Sequence, residues 1–221
     1  MHDDGAPGDA LEPDVRREWA ALLERQIRLC RALADLPGLS GWRPPAGRLW
    51  NDPHNVLFDF ERTSVGAEWI DAIAAEALGV LLRHGAPTVL GHADWSAKHF
   101  RCASRRPAGQ RITAVYDWDS LRRGTEVELV AGAAMTFTVT WYVPGRDVLT
   151  AIEHALGFVS DYERARPKPF SAAERRALVA AARFARAYTA RCEHSTDPLG
   201  RTLGKQSARA MLRDVVAHFR L

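Results

Sequence analysis

Four residues able to do chemistry, His92, Asp94, Lys98 and His99, fall within the single stretch GHADWSAKHF, residues 91–100. Two more, Asp117 and Asp119, close a second stretch, VYDWDSL, residues 115–121. Two carboxylates and an imidazole on one rim could hold a divalent cation, and a carboxylate there could take the proton of an attacking hydroxyl. Taken singly, an Asp at a strand end is ordinary turn chemistry. It is the conjunction of the two stretches that raises the expectation of a site.

The elements that must position these residues can be read from the pattern on either side. Arg111–Trp118, RITAVYDW, is the strongest strand signal in the chain, and Phe100–Cys102 is a shorter one. Ser104–Gln110 lies between them and contains Pro107 and Gly109, which predicts a hairpin. Pairing 99–102 with 112–116 would return Asp117 to the side of Asp94 and His99, with Thr88–Gly91 leading in. Upstream, Val15, Trp19, Leu22, Leu23, Ile27, Cys30 and Leu33 follow helical spacing from Asp14 until Pro37 and Gly38. A loop over 39–53, a short extended segment at Val56–Phe60 and a helix over 67–83 follow. Downstream, helices are expected over 125–141, 147–164, 171–192 and 203–219, the third opened by a Ser171/Glu174 capping box. Residues 1–13 read as a flexible tail and 14–221 as one lobe.

Composition excludes several classes. With 221 residues, 47% apolar and 26% charged, the chain suits a soluble domain with a sizeable core. No uninterrupted apolar run approaches a membrane span, and the acidic, Gly/Pro-rich start is unlike a signal peptide, so a cytoplasmic location is expected. The net charge of +3 comes from basic residues interspersed with acidic ones. Without a basic stripe or aromatic interleaving, neither nucleic acid nor a membrane surface is an expected partner. Cys30, Cys102 and Cys192 form no CxxC pair and read as free, buried thiols. Lysine occurs only at 98, 168 and 205.

The order His-x-Asp, a metal-ligand position five residues on, then a hydrophobic strand ending in Asp-Trp, resembles the aminoglycoside/choline phosphotransferase family. That family has a protein-kinase-like fold, a catalytic loop H-G-D-x-x-x-x-N and a metal loop I-D-W. The resemblance places the catalytic loop at 91–100 and the metal loop at 115–121. It implies an α+β, mostly helical C-terminal lobe with a small β-hairpin. It also implies transfer of the ATP γ-phosphate to a hydroxyl of a small hydroxylated or cationic substrate, with Mg²⁺ or Mn²⁺. Asp94 would orient or deprotonate the hydroxyl, Asp117 and His99 would hold the metal, and His92 would brace the loop. Asp119 would either support Asp117 or cap the next segment. Acidic side chains on the later helices, Glu126, Glu128, Asp161, Glu193 and Asp197, would be those available to a cationic substrate.

Three departures from the family pattern carry consequences. His99 stands where the family has asparagine, and imidazole suits softer metals than Mg²⁺, so Mg²⁺ binding weakens, Mn²⁺ is accepted, or water bridges. Ala93 stands where the family has glycine and would be strained if its φ were positive. The third departure is the largest. No lysine precedes Lys98, and residues 14–91 read as two helices and a loop, whereas the family's N-terminal lobe supplies a phosphate-covering loop and a strand lysine. That lobe is therefore expected to be absent, to come in trans or from an upstream segment, and the chain alone to turn over slowly. Trp19, Trp50 and Phe58 are then expected on an uncovered apolar face that drives self-association. Two other classes stay open: a non-catalytic binding remnant, and a metal-dependent hydrolase using His92, Asp94, His99 and Asp117 on an unrelated helical fold.

Overall fold

Val15, Trp19, Leu23 and Ile27 recur every fourth residue and form the buried stripe of the first helix, α1 (Pro13–Leu29), which opens on a proline at its first turn. The computed structural model describes residues 9–103, 107, 109–140, 149–204 and 207–218, with backbone alone for residues 9 and 214–218. Its described residues form a mostly helical α+β fold of six helices and two small two-stranded antiparallel sheets. The helices after α1 are α2 (Glu68–Arg83), α3 (Glu126–Thr136), α4 (Ile152–Ala165), α5 (Ala172–Thr196) and α6 (Ala208–His218). Among the described residues, no helix is long and apolar enough to cross a membrane.

The first sheet pairs β1 (Thr88–His92) with β4 (Leu121–Thr125), in register from Thr88↔Thr125 to His92↔Leu121. The second pairs β2 (Phe100–Cys102) with β3 (Ile112–Val115), Phe100 opposite Val115, with a bulge between Arg101 and Cys102. This is the expected hairpin, trimmed from 111–118. Residues 104–106 and 108 of its turn lie outside the described residues. β4 was not expected, because Leu-Arg-Arg-Gly-Thr has neither apolar alternation nor a β-branched run.

α1 does more than bury a stripe. Glu18 accepts from the backbone N–H groups of Arg111 and Ile112, both at 2.9 Å. Gln26 donates to Leu90 O at 3.3 Å and accepts from His92 N at 3.2 Å, so a side chain satisfies the β1 edge that β4 does not. Behind the sheet lies α3, whose capping box joins Thr125 and Glu128. A Cβ on Gly91 would lie 2.6 Å from Leu129 Cδ1 and 3.2 Å from Ile27 Cγ1, so only glycine lets β1 approach both helices. α5, 25 residues long, runs through the core and packs on α2, α3 and α6.

Several boundaries shift. The expected helix over 125–141 ends at Thr136, with Trp141 outside the described residues. The expected start at Asp147 lies outside them too, and α4 begins at Ile152. The last helix opens at Ala208 and not at 203, and Phe219 is again outside. Of the expected tail, 1–8 lie outside, while Asp9–Leu11 form a helical turn that buries Ala10. Val56–Phe60 is a run of turns and not an extended segment, its Asn55 side chain accepting from Leu57 N. Cys102 and Cys192 are buried and Cys30 is partly so; all three are free thiols, and burial pushes the Cys192 thiol up to about 12.

The expected apolar face is corrected. Trp19 is fully buried, stacked on Trp95 with ring centroids 3.9 Å apart. Trp50 is buried against Phe60, Phe184 and Tyr188. Phe58 is half-buried against His54. The cover over Trp19 is the stretch 91–100 itself, since Trp95 Nε1 donates to Trp19 O at 3.1 Å. The exposed large apolar side chains are others, among them Val56 and Leu57 just before Phe58, and Tyr116 and Trp118 at the end of the hairpin. Trp19→Ala should therefore cost about 3–5 kcal/mol in urea unfolding, whereas Val56→Ser, at a residue 99% exposed, should cost no more than about 0.5 kcal/mol. Equal costs would contradict this core.

Candidate metal and phosphate site

Three connections bring the two motif stretches together, and a fourth fastens the first of them to α3. The ladder of β1 with β4 continues past His92 through Ala93 N, which donates to Ser120 O at 3.0 Å. Tyr116 N donates to His99 O at 2.8 Å, closing the β2–β3 end. His92, fully buried, reaches Tyr116 O with Nε2 at 3.0 Å. Burial lowers its pKa, so the ring stays neutral with the proton on Nε2, as the carbonyl acceptor requires. Finally, Ala97 N and Lys98 N donate to Phe137 O and Val139 O, at 2.9 and 3.3 Å, tying the turn of helix at Ala97–His99 to the end of α3. His92 thus lies behind the site and joins its loops.

In front, Asp94, His99 and Asp117 each turn one ligand atom toward a common point, all within 4.8 Å of one another. His99 Nε2 stands 3.1 Å from Asp94 Oδ2 and 3.4 Å from Asp117 Oδ2. Both carboxylates are about a third exposed, His99 less. Oxygen and imidazole donors at this spacing fit one divalent cation, with the open side left for water or phosphate oxygens. The imidazole favours Mn²⁺ over Mg²⁺.

The Asp94 carboxylate is heavily engaged. Ser96 Oγ donates to Oδ1 at 2.9 Å, while Lys98 Nζ at 2.8 Å and His99 Nε2 at 3.1 Å share Oδ2. An ionised carboxylate offers about four lone-pair positions, so roughly one is left for a substrate hydroxyl. Burial, the largest influence, opposes its ionisation; the hydrogen bonds from His99 and Lys98 overcome it and hold the carboxyl well below the usual range. A base this weak serves first as an orienting acceptor. Asp117 is also held below its ordinary range, chiefly by the hydroxyl of Ser120 at 2.6 Å. The negative charge of Asp94 acts against this, a repulsion that a cation between them would relieve.

Asp117 is the one non-glycine residue at positive φ among the described residues, at +65°. Its left-handed backbone turns the chain from β3 into the helical turn Trp118–Ser120 and aims the carboxylate at His99. Ala93 has no positive φ, so the strain expected there does not arise. Asp119 is exposed beside Asp117, and its own carbonyl accepts from Arg122.

The acidic side chains on the later helices are occupied. Glu126 pairs with Arg166 and accepts from Tyr162, Glu128 pairs with Arg43, and Asp161, buried, pairs with Arg16 and Arg164. Glu193 accepts from the backbone N–H groups that open α6, and Asp197 from Thr202. Sequence reasoning singled out Lys98 but gave it no role, and it missed the contribution of Ser96 and Ser120; none of the three matches a motif letter. No family model, curated protein or solved structure matches the chain.

Two outcomes follow. Both carboxyl groups are held down in the folded state, so their stabilisation is present above about pH 5 and lost progressively as pH falls through the native pKa. Acid unfolding of Asp94→Asn should accordingly be flatter than that of the parent chain; coincident profiles would contradict it. Asp117→Ala should be less stable than Asp117→Gly by about 1 kcal/mol, because only the alanine keeps a Cβ in the left-handed region. The reverse order in thermal unfolding would remove the backbone account.

Proposed function

We propose that this chain is the substrate-side lobe of an ATP-dependent phosphotransferase acting on a hydroxyl of a small molecule, of the aminoglycoside/choline type. The observation that carries the reading is the meeting of Asp94 and Asp117, distant in sequence, across His99 on one open rim, with His92 bracing both loops from behind. Phosphoryl transfer asks little covalent chemistry of a protein; it asks for positioning and charge stabilisation. Asp94 would hold the substrate hydroxyl at its remaining lone pair and receive its proton as the oxygen–phosphorus bond forms and the bond from the γ-phosphorus to the β,γ-bridging oxygen breaks, releasing ADP. Asp117 and His99 would hold Mn²⁺ or Mg²⁺, with Asp94 Oδ2 as a third donor beside them. Such an ion supplies neutralisation of charge on phosphate oxygens.

A protein-kinase-like lobe is part of this proposal. Among the described residues two helices and no strand precede β1, so covering of a triphosphate from the far side is assigned to a partner lobe or a further segment. Slow turnover by the chain alone follows from that assignment. The imidazole in the donor set favours one alternative, a metal-dependent hydrolase that uses the same four residues with a softer ion and no ATP.

The test is single-turnover phosphate transfer from labelled ATP to a panel of hydroxylated and cationic small molecules, with Mn²⁺ and with Mg²⁺. Transfer should fall by about 10²–10⁴ in Asp94→Asn and lose its divalent-ion dependence in Asp117→Asn. Transfer indifferent to Asp94, or metal-dependent hydrolysis of phosphate esters or amides without ATP, would overturn the phosphotransferase reading.

A further inference from the structure

We infer that Lys98 is a positioning residue that competes with the divalent cation for Asp94 until a phosphate draws it away, so that metal and nucleotide enter the site together. This rests on the metal-nucleotide reading of the site and adds a residue to which the motif assigns no role. Lys98 Nζ stands 2.8 Å from Asp94 Oδ2, the same oxygen that His99 Nε2 approaches at 3.1 Å. That carboxylate, with Asp117 and His99, forms the donor group suited to one cation. An ammonium and a divalent cation cannot share one carboxylate oxygen without strong repulsion.

The lysine is held at its backbone and paired at its ammonium. Its backbone is fixed by Val139 O, and its side chain is mostly buried, at 14% exposure, so its charge acts at close quarters. The four-carbon stem and three rotatable donors let Nζ swing where an arginine fork would be held in one plane. A triphosphate offers oxygens that both the ammonium and the metal can share. The lysine therefore opposes the bare ion and favours the ion with its nucleotide.

The experiment measures Mn²⁺ binding by electron paramagnetic resonance, and ATP binding in the presence of Mn²⁺ by calorimetry, on the full chain. Lys98→Met should tighten Mn²⁺ alone about tenfold, a discounted figure for a partly exposed pair, and weaken ATP about tenfold. Lys98→Gln, which keeps a donor to Asp94, serves if the methionine variant does not fold and should move both in the same directions. Unchanged or weaker Mn²⁺ binding in these variants, or unchanged ATP affinity, would overturn the inference. If Asp117→Asn still abolishes Mn²⁺ binding in that case, the site reading survives without it. Mn²⁺ binding indifferent to Asp117 overturns both.

Discussion

The antiparallel pairing of β1 with β4 is the constraint from which the rest of the site follows. β1 ends at His92 and β4 begins at Leu121, directly opposite, so the loops that leave these ends must run side by side. The bond from Ala93 N to Ser120 O extends that ladder one step beyond the strands. The hairpin of β2 and β3 then hangs from the same end, with Tyr116 N on His99 O as its last rung. Pairing of this depth depends on how closely β1 lies to α1 and α3. A glycine at 91 permits that approach, and Gln26 meets the backbone groups on the open edge.

Electrostatics follow from the same placement. Two carboxylates brought to one rim repel each other, and the fold answers with hydroxyl donors from Ser96 and Ser120, the imidazole of His99 and the ammonium of Lys98. Those groups keep the carboxylates ionised while leaving the rim open to solvent. A buried pair without such donors would lose a charge by taking up a proton. The left-handed backbone at Asp117 is the strained point in this arrangement, and it lies on the residue whose aim matters most, as strain at functional positions commonly does.

Much of this was legible in the residue pattern, for reasons that differ by element. The hairpin and the helices announce themselves by periodicity, and the meeting of Asp94 with Asp117 follows once 99–102 is paired with 112–116. β4 was hidden because a two-stranded sheet at a loop exit needs no apolar alternation. Glu18 and Gln26 look like the polar face of an amphipathic helix; only the fold reveals that their partners are strand backbone. Trp19 was misplaced to the surface on the premise of an uncovered face. Trp95, inside the stretch 91–100, closes over it and so makes that stretch part of the core. The acidic residues of the later helices could not be sorted from sequence, since their arginine and backbone partners lie far along the chain.

The most direct test of the central claim, that Asp94, His99 and Asp117 together hold one divalent cation, is the imidazole region of the proton NMR spectrum during titration with substoichiometric Mn²⁺. Paramagnetic broadening falls steeply with distance, so a bound ion marks its nearest rings. His99 should broaden first, then His92 and His54, which lies within reach of the charges of Asp94 and Lys98, while His84, just before the far end of β1, stays comparatively sharp. The Asp117→Asn chain should lose that order. Broadening that is uniform over the histidines, or that begins at His84, would contradict a metal site at this rim.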